Sequence, residues 1–159
     1  MLTLNIRNGG GNRSGKIIPR LFYTNADIIV LIEFRECKNF TIIKNSLIDV
    51  GYLWQTICIN VPNKNSIFVA TKIKFEKIAL DDLPKDCSYR ALLLKFPTFS
   101  LLLVYFAQRK EKQLLLDYIS DKCIQQLMPK GIVIGGFNTA KPYLDEQKKL
   151  CLYRCIYQS

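Results

Sequence analysis

A chain of 159 residues, of which 49% are hydrophobic and 23% charged, has the size and composition of one globular domain. The longest apolar stretch, residues 91–107, is interrupted by Lys95 and Pro97, and we therefore expect no membrane segment. The first residues do not have the pattern of a signal peptide. A formal net charge of +10 favours polyanionic partners such as nucleic acid, with a merely solvated basic surface as the alternative.

The cysteine pattern bears on metal binding and on the compartment. Six cysteines are scattered along the chain without a C-x-x-C pair, and the chain contains no histidine. Both observations argue against a zinc site. Free, dispersed cysteines of this kind predict a reducing, cytoplasmic location.

The first part of the chain is predicted to alternate strands and helices. The predicted elements, in chain order, are a strand at residues 2–6, a glycine-rich loop at 8–15, a short helix at 17–24, a strand at 28–33, and a helix at 41–50 that ends at Gly51. The strand, helix, strand order at the start predicts a parallel pair.

The second part of the chain is predicted to be richer in strands. The predicted elements are strands at residues 53–60, 66–71, 91–96 and 99–105, an amphipathic helix at 111–127 that Pro129 terminates, and a strand at 132–134. We find no internal repeat, low-complexity segment or linker, and therefore expect one compact unit.

Several of the predicted strands have a polar residue at or just beyond their end. These residues are Asn5, Glu33, Tyr105 and Asn138, within the segments 2–7, 27–35, 104–108 and 131–139. Polar residues at strand ends are the usual way to build a site at one rim of a sheet. The alternatives are local: Glu33 as a strand-end charge reaching water or pairing with Arg35, the asparagines as loop residues, and Tyr105 as a core residue.

In this order the four segments resemble the endonuclease/exonuclease/phosphatase family of metal-dependent hydrolases, which includes abasic-site endonucleases and pancreatic-type deoxyribonucleases. The resemblance implies an α/β fold, the deoxyribonuclease I-like sandwich of two sheets flanked by helices, of which this chain would be a truncated N-terminal half. Residues 1–147 would form this partial domain. Residues 148–159 would be an aberrant tail, and an out-of-frame origin for it is a hypothesis that the nucleotide sequence decides.

The resemblance also implies roles for individual residues. Glu33 and Asn5 would hold Mg²⁺, while Asn5, Tyr105 and Asn138 would be the catalytic and phosphate-contacting residues. The family places an Asp two residues before this Asn, and Gly136 occupies that position here. Ala107 replaces the Pro that usually follows the family's Tyr, and the terminal Ser-Asp-His triplet is missing. Without the Asp and the imidazole, the chain lacks a general base at the point of attack.

The resemblance therefore predicts a Mg²⁺-dependent phosphodiester or phosphomonoester hydrolase that is truncated and catalytically impaired, with weak or lost Mg²⁺ binding. Its partner would be a phosphodiester substrate or nucleic acid, and an exposed sheet would favour self-association. The alternatives are a non-catalytic basic module that binds nucleic acid or phosphate, and a decaying gene product. DNA, RNA, a phospholipid headgroup and an inositol phosphate all remain open as the substrate.

A phosphate-binding P-loop is the rival motif. Gly10, Gly15 and Lys16 match most of the pattern G-x-x-x-x-G-K-[ST] between a strand and a helix. However, Ile17 stands where a hydroxyl would hold magnesium, and Pro19 interrupts a helix that should be regular. The other interpretation is that these glycines let the chain turn beside Asn5.

Overall fold

A computed structural model of the chain describes residues 1–35, 38–59, 64–106, 110–127, 129–138 and 156–157. These residues form two mixed sheets. The first has the strand order β1-β2-β4-β3, and the second has the order β5-β6-β7-β8-β9. The strands are β1 (Leu2–Asn5), β2 (Ile28–Phe34), β3 (Trp54–Ile57), β4 (Ser66–Thr71), β5 (Glu76–Ile78), β6 (Ala91–Lys95), β7 (Ser100–Tyr105), β8 (Gly131–Gly136) and β9 (Ile156–Tyr157).

Helices connect and cover these sheets. They are α1 (Ser14–Tyr23), α2 (Lys38–Asp49), α3 (Lys110–Tyr118) and α4 (Ile124–Leu127), with a π-helical turn at Ile119–Cys123 and 3₁₀ turns at Asn8–Arg13 and Lys85–Cys87. Strands β1 and β2, which α1 connects, pair in parallel, as the sequence predicts. Strands β7 and β8, which the α3–α4 segment connects, also pair in parallel. Parallel pairing places the carboxyl ends of both strands of a pair at the same rim.

The two sheets pack face to face over an inner core. Val30 and Ile32 of β2 contribute to this core together with Leu92 of β6 and Leu103 of β7. Burial of both faces explains why β2 and β7 read as continuous apolar runs rather than as alternating patterns. The inner core therefore holds β2 and β7 in fixed positions relative to one another.

The outer face of each sheet is covered by helices. On the first sheet, Ile29 and Leu31 pack with Leu21 of α1 and Ile43 of α2. On the second sheet, residues of β6 and β7 pack with the α3–α4 segment, for example Leu115. The predicted α/β sandwich flanked by helices is thus confirmed.

Several details differ from the sequence prediction. Strand β5 has only three residues, Glu-Lys-Ile, and it forms through pairing with β6 rather than through a pattern of its own. The predicted helix at 111–127 contains the π-helical turn. The helix predicted at 17–24 begins earlier, at Ser14, directly after the turn that the positive-φ glycines of the loop make.

The expected uncovered sheet face is not what the structure shows. The chain supplies strands to both sheets, so the described residues already close the inner core. Open edges remain instead, because β1 pairs only with β2 and β3 only with β4 among the described strands. Most of the predicted tail at 148–159 lies outside the described residues, but Ile156 and Tyr157 pair with β8. Within the described residues, no helix has the length and apolarity to cross a membrane.

The open edge of β1 leads to a prediction about association. Ile6 N–H donates to Ile32 O (3.0 Å), so the Ile6 N–H points toward β2. Successive N–H groups of a strand point to opposite sides, and the Thr3 N–H, three residues earlier, therefore points away from β2. We expect the protein to self-associate at micromolar concentration through this edge. Thr3→Pro removes an outward donor without removing a β1–β2 bond, and it should reduce the associated fraction. Light scattering measures both proteins, and a monodisperse natural chain would contradict the expectation.

Candidate functional site

Glu33 lies at an irregular point of β2. The register between β2 and β4 shifts between Ile32 and Phe34, which leaves Glu33 outside the ladder at a φ of 58°. A non-glycine residue in the left-handed region is uncommon, and such strain concentrates at functional sites. A bulge also re-aims its side chain. The half-buried Glu33 carboxylate is therefore held at the rim by the backbone itself.

Asn5 contacts this carboxylate directly. Asn5 Nδ2 donates to Glu33 Oε1 at 2.7 Å, and Asn5 Oδ1 accepts the Arg7 N–H at 2.9 Å. The parallel register, in which Asn5 pairs with Ile32, brings the two strand ends together. Arg35 donates from Nε to Asn65 Oδ1 (2.5 Å), and it forms no ion pair with Glu33. Asn5 thus fixes the orientation of Glu33.

Tyr105 and Gly136 are brought together at the end of the second sheet. They are register partners in β7 and β8, and Phe106 N–H donates to Gly136 O at 2.9 Å. A Cβ placed on Gly136 would lie 3.3 Å from Tyr105 Cδ2 and 3.7 Å from Ile32 Cγ2. Because Ile32 directly precedes Glu33, the β8 end reaches the same rim as Asn5 and Glu33.

Asn138 continues this rim but is occupied by backbone contacts. Its Nδ2 donates to Phe106 O at 2.6 Å, its φ is 45°, and its carbonyl accepts from Lys112 Nζ at 3.0 Å. These contacts tie the loop after β8 to the end of β7 and to α3. In this arrangement, Asn138 shapes the loop that follows Gly136.

Arg90 is a rim residue that the sequence analysis missed. Its Cζ lies 5.3 Å from the Tyr105 ring centroid and 4.8 Å from that of Tyr89, and Nη2 lies 3.3 Å from Glu111 Oε2. The side chain is only 13% exposed, and its buried Nε has no partner among the described residues. Arg90 directly precedes β6 and belongs to no sequence motif. The one sequence signal for its role was its position next to the strand that pairs with β7.

No protein-family model matches the sequence, and no curated protein matches it. Solved structures do match. An AP endonuclease from Archaeoglobus fulgidus is 20% identical, with a TM-score of 0.64, and the match covers 88% of this chain and 58% of that one. A 3'-5' exonuclease (NExo) from Neisseria meningitidis is 16% identical, with a TM-score of 0.68 and coverages of 86% and 56%. The chain has the deoxyribonuclease I-like fold.

A third neighbour with this fold is D. rerio TDP2 complexed with single strand DNA product. It is 17% identical, with a TM-score of 0.62, and the match covers 87% of this chain and 60% of TDP2. All three comparisons leave about two fifths of the neighbour's length uncovered. This chain therefore spans somewhat more than half the length of these neighbours, and its described residues form two facing sheets.

The donor set of the rim limits what metal it can hold. Among the described residues, no three His, Cys, Asp or Glu side chains cluster closely enough to form a metal cage. One carboxylate, Glu33, with a neighbouring amide, Asn5, suits Mg²⁺ held chiefly by water and substrate phosphate. The described thiols are poor ligands, since burial raises the pKa of Cys58 and of Cys123 to about 11.

In this deoxyribonuclease I-like fold, the glycine-rich loop is in contact with neighbouring residues of the same chain. Gly9, Gly10 and Gly11 all have positive φ, and Arg13 Nη2 donates to Ile6 O at 2.9 Å. A Cβ on Gly10 would lie 2.8 Å from Ile17 Cδ1, so the buried Ile17 packs against the loop. These contacts favour a turn from β1 into α1 over a phosphate-binding loop.

Proposed function

We propose that this chain is a phosphate-ester-binding member of the endonuclease/exonuclease/phosphatase hydrolases, and that hydrolysis by this polypeptide alone is impaired. The observation that carries the proposal is the hydrogen bond from Asn5 to Glu33 at the β2 bulge, on the rim that Gly136 also reaches. A carboxylate held in a strained, half-buried position by a neighbouring amide is typical of a binding site rather than of a solvated strand end.

Glu33 and Asn5 are the residues that would hold Mg²⁺. When bound, the ion polarises phosphoryl oxygens and offsets negative charge that develops on them. Glu33 provides the charge as a carboxylate, and Asn5 Nδ2 donates to one of its oxygens, Oε1. Asn5 acts mainly by fixing the Glu33 rotamer. With a single carboxylate, we expect binding to be weak and to depend on substrate phosphate.

Tyr105 and Arg90 would contact the phosphate itself. The Arg90 guanidinium lies beside the Tyr105 ring and is largely shielded from water, so its charge is less screened than that of a surface lysine. Its described ion-pair partner, Glu111, is half-exposed and 3.3 Å away, which is a long contact for a charge-assisted hydrogen bond. A phosphate oxygen can therefore compete with Glu111 for Arg90.

Two features of the sequence argue for binding without turnover. Gly136 provides no side chain where the family places its Asp, and the chain contains no histidine. A water molecule at the rim would have no general base positioned by this chain. The same two features and the net charge of +10 also support the second candidate function, a non-catalytic module that binds nucleic acid or phosphate.

The proposal predicts the effect of neutralising Glu33. Glu33→Gln keeps the size of the side chain but removes its charge, so Mg²⁺ affinity should fall about tenfold or more. Isothermal titration with Mg²⁺ in the presence of a simple phosphodiester, bis(p-nitrophenyl) phosphate, measures this change. Glu76→Gln, which neutralises an exposed carboxylate on β5, is the control and should bind Mg²⁺ as the natural chain does. Equal affinities in the two variants would remove Glu33 from the site.

A further inference from the structure

A basic cleft lies at the opposite end of the second sheet from the candidate site. It is formed by the turn between β6 and β7 and by the residues that precede β8, and its volume is about 360 Å³. Phe96 N–H donates to Phe99 O (2.9 Å) within the turn, and Ser100 N–H donates to Lys130 O (2.8 Å). Strand β7 runs from this cleft to Tyr105, so about 17 Å separates the two sites.

The cleft combines aromatic rings with positive charge, and Glu76, which lies opposite Lys95 in the β5–β6 ladder, forms no ion pair with it. Phe99 is half-buried and stacks on the buried Phe96, with ring centroids 4.6 Å apart and an interplanar angle of 9°. Lys95 and Lys130 line the cleft and are both exposed, while no acidic residue lines it. Neither lysine forms an ion pair with another described residue.

We infer that this cleft binds single-stranded nucleic acid, with a base against Phe99 and the backbone phosphates beside Lys95 and Lys130. Positive charge along a groove and an aromatic platform are the two components of such binding. The rings favour a nucleic acid over an acidic peptide, because a peptide uses the charge but not the stacking surface. A cleft of this size accepts an unpaired base but not a duplex. The inference does not depend on metal binding at Glu33.

The charge part of the inference is tested with two double variants that lower the net charge equally. Lys95→Gln/Lys130→Gln removes both cleft lysines, and Arg20→Gln/Lys122→Gln removes two exposed cations outside the cleft. Fluorescence anisotropy with labelled oligothymidine measures affinity over a range of salt. The cleft variant should lose about 1.4 from the salt slope, which is about 0.7 per phosphate contact, while the control should keep its slope. Equal losses in both variants would show that net charge alone attracts the strand, and would overturn the inference.

The stacking part is tested with Phe99→Leu, which keeps an apolar side chain against the core but removes the ring. Oligothymidine affinity should fall about fivefold or more. Circular dichroism establishes that the variant is folded, and the lysine variants carry the test independently if it is not. Unchanged affinity in Phe99→Leu, equally tight binding of duplex DNA, or displacement of the oligonucleotide by polyglutamate at equal charge would each overturn the inference. Oligothymidine affinity measured in excess EDTA should equal the affinity measured in Mg²⁺, because binding in the cleft needs no metal at Glu33, and this comparison separates the result from the proposed function.

Discussion

Gly135→Ala is expected to unfold the protein or to make it insoluble. Gly135 pairs with Val104 across β7 and β8, and a Cβ on Gly135 would lie 1.8 Å from Val104 O. A backbone carbonyl in a central strand cannot move away as a flexible side chain can. The free energy of unfolding should fall by about 3 kcal/mol or more, a large part of the ~5–15 kcal/mol that stabilises a typical domain. Urea unfolding followed by circular dichroism measures the loss.

The next residue provides the matched control. A Cβ on Gly136 would lie 3.3 Å from Tyr105 Cδ2, which is a ring atom that can shift by a few tenths of an ångström. Gly136→Ala should therefore change the free energy of unfolding by less than about 1 kcal/mol. A loss in Gly135→Ala as small as that in Gly136→Ala would contradict the close approach of Gly135 to Val104 O.

Gly136→Asp should raise the affinity for Mg²⁺ by about tenfold or more. The substituted position reaches the rim next to Ile32, so the new carboxylate would supply a second negative ligand or a water-positioning group near Glu33. A Cβ at this position requires only a shift of a few tenths of an ångström in the Tyr105 ring, so the variant should fold. Titration with Mg²⁺ measures the gain, and Gly136→Asp with Glu33→Ala should lose it.

Hydrolysis should nevertheless stay at background in Gly136→Asp. The chain contains no histidine, and a second carboxylate does not replace the imidazole and further charged groups that stabilise the transition state in the family it resembles. The assay is Mg²⁺-dependent product release from abasic-site DNA, single-stranded DNA and a generic phosphodiester. Activity that appears in Gly136→Asp and disappears in the double variant would show that this chain suffices for catalysis.

The sequence predicts the fold and the rim well where the signal is local. Continuous apolar runs predict β2, β7 and β8, because a strand buried on both faces has few polar residues. The polar residue that ends such a run lies at the sheet rim, so Asn5 and Glu33 were predictable as neighbours. Their specific roles remain predictions.

Features that arise from tertiary contacts were not predictable in the same way. The bulge at Glu33 depends on the register between β2 and β4, and strand β5 exists through its pairing with β6. Arg90 reaches the rim because β6 and β7 pair and the chain folds around Tyr105. The sequence also led to the expectation of an uncovered sheet face, because it does not reveal how strands are shared between two sheets.

The division of strands between the sheets affects how the domain assembles. Residues 2–71 contain every described strand of the first sheet, and residues 76–157 contain every described strand of the second. No described strand is exchanged between the layers, so each layer is a contiguous segment that forms its hydrogen bonds from its own residues. Contacts within a segment close shorter loops and form faster than contacts between segments. The rim, which needs both layers, is therefore completed only when the two segments dock.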